Sequence, residues 1–292
     1  MIRESTIRSE AVMGTIVTIH VVSPSADAAI DRAFEWFHEI EACCTRFRDD
    51  SELMQLSRRP GVPVPASAIL FEAVRFALSV AEETNGAFDP TVGASMAARG
   101  YNREHRTGEI AGAVAADEGA SYRDIAMDAA ARTITLHRPL TLDLGAVAKG
   151  LAIDTAAREL APFADFAIDA GGDLYLAGSN PRGTRWSVGI RDPFGGEQPI
   201  ETVEVSNQAV CTSGAYERGD HILDTRSGGP ADSIASATVL APTAMLADAL
   251  ATAAFVLGPS EGIALLERMG VDGLLVTPDF QRHTTRGLRY AA

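Results

Sequence analysis

Between residues 160 and 242 the chain offers one strand-like segment after another and no helix, and this constrains its fold more than any other feature. The segments are Phe166–Asp169, Leu174–Ala177, Trp186–Arg191, Glu201–Cys211, His221–Leu223 and Ile234–Leu240. Turn formers such as Asn180-Pro181 and Asp192-Pro193-Phe194-Gly195-Gly196 separate them. A parallel sheet needs a long crossover, usually a helix, between successive strands, whereas antiparallel strands join through short turns. The pattern therefore predicts an α+β fold of antiparallel sheets flanked by helices.

The rest of the chain supplies the flanking helices. A strand at Thr15–Val22 leads through Ser23-Pro24, a cap and a first-turn proline, into a helix over residues 24–45. A second helix runs from Ala66 to Thr84, and Asn85-Gly86 ends it. Residues 91–124 are weakly patterned apart from a short helix near Ala113–Glu118. Alternation at Arg132–Leu142 predicts a strand, followed by a helix from Ala146 to Leu160. An alanine-rich helix over residues 242–257 is closed by Gly258, and a short helix near Glu261–Met269 and a strand at Gly273–Thr277 complete the chain. No repeat or low-complexity linker divides it. Residues 1–292 read as a single domain, or as two intimately packed subdomains with the active site between them.

Charge and cysteine usage narrow the function class. A net charge of −14 and a pI near 4.8 argue against sequence-independent nucleic-acid binding, which needs a basic surface. The start, MIRESTIRSE, is polar and charged, and no stretch reaches the roughly 18 unbroken apolar residues of a membrane span. The expectation is a cytoplasmic protein with no membrane partner. Cys43, Cys44 and Cys211 form neither a disulfide framework nor a metal-ligand spacing, and all three read as small core residues.

Four segments could carry chemistry. In PTAMLADALATAAFVLG, Asp248 and Thr252 stand four apart, on one face of an otherwise small and apolar helix. A carboxylate there is costly to bury unless it is paired or metal-bound, and Asp and Thr oxygens suit Mg²⁺; spacing alone rather favours an Asp248 that faces solvent or a nearby Arg. In LDLGAVAKGLAID, residues 142–154, a glycine turn opens a helix whose dipole and Lys149 together favour an anion, a pattern that equally fits a solvated lysine on an ordinary helix start. In TNGAFDPTVG, residues 84–93, Pro90 holds Asp89 extended beside Phe88, which suits a binding loop or an ordinary turn. CTSGAYERGDHILDTRSGGP, residues 211–230, crowds polar groups among glycines. There His221 offers an acid or base and Arg226 a phosphate ligand.

Taken in order, these segments resemble the FAD:protein FMN transferases, the ApbE family. The resemblance rests on MGT at 13–15, FRDDSEL at 47–53, GAFDPTVG at 86–93, DLGAVAKG at 143–150, AGGD at 170–173, TSGAYER at 212–218, HILDTRSG at 221–228 and APTAMLADALATA at 241–253. It implies a fold related to the T-fold, FAD as substrate and Mg²⁺ as cofactor. Asp248, Thr252 and the Ala146 carbonyl would bind Mg²⁺. Met13, Phe47, Ala87, Phe88, Asp89, Asp143 and Lys149 would line the FAD site, and His221 would be the catalytic histidine. The implied reaction cleaves FAD, attaches FMN through a phosphoester to a Thr or Ser hydroxyl of an acceptor flavoprotein, and releases AMP. The chain departs from the family pattern at Ala215, where the family often has an acid, at Thr225 in place of proline and at Ser227 in place of threonine. ASMAARGYN also replaces the family's aromatic-rich continuation after GAFDPTVG. These departures leave open an FAD pyrophosphatase, which releases FMN and AMP to water, and a non-catalytic FAD-binding protein.

Overall fold

The computed structural model describes residues 2–103, 108–111, 114, 116–215, 222–225 and 228–291. Its elements are, in order, β1 (Thr6–Val12), β2 (Thr15–Val21), α1 (Asp27–Cys44), α2 (Glu52–Ser57), β3 (Val64–Pro65), α3 (Ala68–Glu83), α4 (Gly93–Ala98), β4 (Ile125–Asp128), β5 (Thr133–Leu136) and α5 (Gly145–Leu160). There follow β6 (Phe166–Ala170), β7 (Asp173–Ala177), β8 (Trp186–Ile190), β9 (Glu201–Val205), β10 (Gln208–Gly214), β11 (Ser236–Ala241), α6 (Ala244–Leu257), α7 (Pro259–Arg268), β12 (Asp272–Val276) and β13 (Arg282–Thr284). The fold is α+β and its strand pairs are antiparallel, as the run of strands without crossover helices predicts.

The chain divides into two units. The first comprises residues 1–38, 149–222 and 231–292. Its sheet has eight strands in the order β1-β2-β6-β7-β10-β11-β12-β13. Helix α6 packs on β10, β11 and β7, and α7 packs on β12. A cluster including Trp186, Ile190, Val203, Val205, Val210 and Leu240 adds a second apolar layer around the β8–β9 ribbon. Every residue of β11 is buried, as expected of a strand covered on both faces. The β1–β2 hairpin turns at Met13 and Gly14, whose φ angles of +53° and +72° match a primed two-residue turn. Among the described residues no helix is long and apolar enough to cross a membrane.

The second unit comprises residues 39–148 and 223–230. It holds the three-stranded sheet β3-β5-β4, with α2 against β5. Side-chain oxygens start two of its helices: Ser51 accepts the Met54 N–H for α2, and Ser67 accepts the Leu70 N–H for α3. Apolar residues at helical spacing along α3, among them Leu70, Ala73, Val74 and Ala77, are buried.

Several boundaries differ from the sequence expectations, each for a local reason. The strand expected over Glu201–Cys211 is two strands: Asn207 adopts φ +55°, so β9 pairs with β8 while β10 joins the main sheet. The strand expected over Arg132–Leu142 is confined to β5, because Arg132 has φ +50° and Pro139 has no N–H to donate. The short helix expected near Ala113–Glu118 lies partly outside the described residues, and its described members, Val114 and residues 116–118, are not helical. Cys44 and Cys211 are buried core residues. Cys43 is only half-buried and its thiol donates to Glu52 Oε2 at 3.2 Å.

Candidate active site

In the first unit, polar side chains gather where α5, α6 and the neighbouring strands β7 and β10 carry them. The Lys149 ammonium pairs with Asp173, whose side chain is 3% exposed against 24% for Lys149. The other Asp173 oxygen accepts the Thr212 N–H at 3.1 Å, which ties the acid to β10. Burial works to lower the Lys149 value, but the carboxylates of Asp173 and Asp248 raise it above the ordinary lysine range, so the ammonium stays charged. Asp248 is buried, 7% exposed, in the middle of α6. One turn further on, Thr252 shares a 3.1 Å hydroxyl contact with Ser213 of β10. Cys211 lies beneath, fully buried, with its thiol pushed well up by burial and by the charges of Asp173 and Asp248. It is inert as a nucleophile.

The N-terminus of α6 is held from α5. Asp154 Oδ1 accepts the Ala244 N–H at 2.7 Å and Oδ2 accepts the Met245 N–H at 3.0 Å. Burial raises the Asp154 carboxyl to about 6, against the pull of those two bonds. Gly150 permits the approach: a Cβ there would lie 2.4 Å from the Met245 Cα.

In the second unit, loops are pinned by buried charge. Arg46, 8% exposed, donates from Nε to Asp143 Oδ2 at 2.6 Å and from Nη2 to the Tyr101 carbonyl, and its guanidinium stacks 4.4 Å from the Phe47 ring centre. Asp143 Oδ1 accepts the Gly145 N–H at 2.8 Å at the start of α5. The Asp143 N–H in turn donates to the Pro90 carbonyl at 2.7 Å. Asp89 accepts the N–H and hydroxyl of Thr91 at 2.9 and 2.7 Å through Oδ1, and the Tyr122 N–H at 3.2 Å through Oδ2. Burial pushes its carboxyl up, opposed by those bonds and by the charge of Arg123. Ala87 and Phe88 are buried beside it.

The sequence model of the ApbE family matches residues 13–275, most of the chain. The chain belongs to the ApbE family. The FAD:protein FMN transferase of Treponema pallidum is 34% identical to it, over 96% of this chain and 87% of the relative. That of Salmonella typhimurium is 28% identical, over 89% and 80%. The fold is similar to the crystal structure of the ApbE protein of Thermotoga maritima, with TM-score 0.86 and 26% identity over 97% of each chain. It is also similar to the flavin transferase ApbE of Vibrio cholerae, with TM-score 0.85 and 26% identity over 97% of each chain.

Against the ApbE pattern, Lys149, Asp248 and Thr252 stand in the first unit, and Met13 forms its hairpin turn. Phe47, Ala87, Phe88, Asp89, Asp143 and Ala146 stand in the second, Ala146 at a kink in α5 where φ and ψ are −90° and 17°. His221 and Arg226 lie outside the described residues. The departure at Thr225 has a structural counterpart, since its hydroxyl donates to the Gly86 carbonyl, a bond that proline cannot make. Sequence reasoning missed Asp173 as the lysine's partner, Asp154 as the clamp on α6 and Arg46 as the anchor of Asp143. Asp173 was visible as the acid of AGGD. Nothing local marks Asp154, whose partners are 90 and 91 residues away.

Proposed function

We propose that the chain is a Mg²⁺-dependent FAD:protein FMN transferase that modifies a Thr or Ser hydroxyl of an acceptor flavoprotein. The observation that carries this reading is the buried Asp248 on α6, beside a charged Lys149 and in line with the Thr252 hydroxyl. The donor set fits the metal. Among the described residues no three His, Cys, Asp or Glu side chains converge as an all-protein cage. A single carboxylate with hydroxyl oxygens is instead what Mg²⁺ uses when waters and substrate phosphate complete its shell. Asp248 and Thr252 would hold the ion, and when bound it supplies neutralisation of charge on the pyrophosphate.

The chain's own residues do the remaining work. Lys149, kept protonated by Asp173, offers a fixed positive charge to the pyrophosphate and to the charge that develops as AMP leaves. Phe47, Ala87, Phe88, Asp89 and Asp143, with Met13, are the proposed flavin-site residues. Arg46 holds the Phe47 ring and the Asp143 carboxylate in place. In the reaction, the acceptor hydroxyl oxygen bonds to the FMN phosphorus, the P–O bond to AMP breaks, and the hydroxyl proton passes to a base, the role proposed for His221.

Incubating the protein with FAD, Mg²⁺ and candidate acceptors tests the reading. AMP released in step with a covalently fluorescent acceptor supports transfer. Mg²⁺-dependent AMP at the same rate without any acceptor assigns hydrolysis instead, and FAD bound with no AMP under any condition leaves a binding protein.

A further inference from the structure

Asp154 is a partly buried titratable group that the proposed chemistry leaves unused. It sits on α5 and spends both oxygens on the first turn of α6, accepting from Ala244 at 2.7 Å and Met245 at 3.0 Å. Thr243 accepts the third N–H, from Leu246, at 3.3 Å. The first three N–H groups of α6, orphans in any isolated helix, are therefore all taken by side chains. Two of the three are taken by a residue on another helix.

The two helices are also locked sterically. Gly150 lies one turn before Asp154 on the same face of α5, and any side chain there would strike the Met245 backbone, with a Cβ 2.4 Å from Cα and 2.5 Å from N. One contact thus sets the spacing of the helices through Gly150 and their register through Asp154. Lys149 is the residue next to Gly150, and Asp248 lies one turn along α6 from Ala244. A helix is stiff over one or two turns, so a shift of its first turn is carried to Asp248 and Thr252. Mg²⁺ demands near-octahedral oxygens at about 2.0–2.1 Å, which makes its affinity sensitive to such shifts.

We infer that Asp154 is a positioning residue for the metal-binding helix: its carboxylate clamps the first turn of α6 and so sets where Asp248 and Thr252 stand relative to Lys149. The inference rests on the reading of Asp248 and Thr252 as Mg²⁺ ligands. Thr243 supplies the matched control, because it caps the same turn from within α6 and does not tie it to α5.

The test is calorimetric titration of Mg²⁺ into the full-length protein in the presence of ADP, for wild type, Asp154→Ala, Asp154→Asn and Thr243→Ala. Asp154→Ala is expected to weaken Mg²⁺ binding at least tenfold. Asp154→Asn, which keeps one accepting oxygen, should fall between it and wild type. Thr243→Ala should lower the melting temperature yet leave Mg²⁺ affinity within twofold. If Asp154→Ala does not fold, Asp154→Asn against Thr243→Ala carries the comparison. Wild-type Mg²⁺ affinity in a folded Asp154 variant overturns the inference, as does an equal loss in Thr243→Ala, which would reduce Asp154 to an ordinary cap. A wild-type protein that binds no Mg²⁺ overturns the underlying assignment of Asp248 and Thr252, a result distinguishable from either.

Discussion

The two units use their buried and partly buried aspartates in opposite ways. In the second, Asp89 takes three hydrogen bonds from Thr91 and Tyr122, and Asp143 is divided between Arg46 and the Gly145 N–H. Those carboxylates shape loops. In the first, Asp173 and Asp154 are likewise engaged, but by a lysine and by the start of a helix, and the elements they organise present Lys149, Asp248 and Thr252 together. Residue type does not separate a fold-shaping acid from a ligand-facing one. The partner set differs: Asp89 is surrounded by local N–H donors and holds a turn, whereas Asp248 lies in the middle of a helix near a charged lysine, where we propose that it faces a ligand.

Asp248→Ala should break this contrast most sharply if it is wrong. The expected loss of Mg²⁺-dependent AMP release is on the order of a thousandfold, with the fold retained by circular dichroism. Full activity in that variant, or outright unfolding, would place Asp248 with the structural acids.

The next effect is on pH dependence. Asp154 has its folded value raised from 3.8 to about 6, so the folded state holds the proton more tightly than the unfolded chain does. The protonation-linked part of its contribution is therefore favourable below pH 4, declines between pH 4 and pH 6, and is gone above. The span amounts to roughly 2–3 kcal/mol. Urea unfolding of wild type and Asp154→Asn across that range should differ in slope by about this amount, and parallel curves would show that Asp154 does not titrate there.

For the second unit, Asp89→Ala should cost about 2 kcal/mol of stability, because three donors lose their acceptor. A variant as stable as wild type but unable to bind FAD would move Asp89 to the ligand-facing class. Smallest is Thr225→Val, expected to cost about 1 kcal/mol through the lost bond to the Gly86 carbonyl and to raise the KM for FAD only a few-fold. Thr225→Ser should restore both, and a Thr225→Val protein indistinguishable from wild type would show that the bond does not hold the loop.

Legibility followed exposure. The long helices α1, α3, α5 and α6 carry apolar faces or buried interiors, capping residues and glycine stops, all local signals, and each is read from sequence to within a few residues. The strands that sequence reasoning missed, β1, β3, β4 and β13, are all sheet edges. An edge strand buries little and carries polar residues, as the exposed Ile7, Ser9 and Ala11 alternating with half-buried neighbours in β1 illustrate, so its apolar pattern is faint. The candidate site divided in the same way. Asp248, Thr252 and Lys149 announce themselves through spacing and contrast with small apolar neighbours, while their supports do not.

By itself, the sequence determined the α+β class, the main helices, the family and the residue types available for phosphate and metal chemistry, because each of these depends on neighbours within a few positions or on motif order. Only the tertiary structure decided that Glu201–Cys211 splits between two sheets, that Lys149 pairs with Asp173 and that Asp154 clamps α6. Those outcomes depend on contacts between residues far apart in the chain, and short-range periodicity carries no information about which distant donor a buried carboxylate will find.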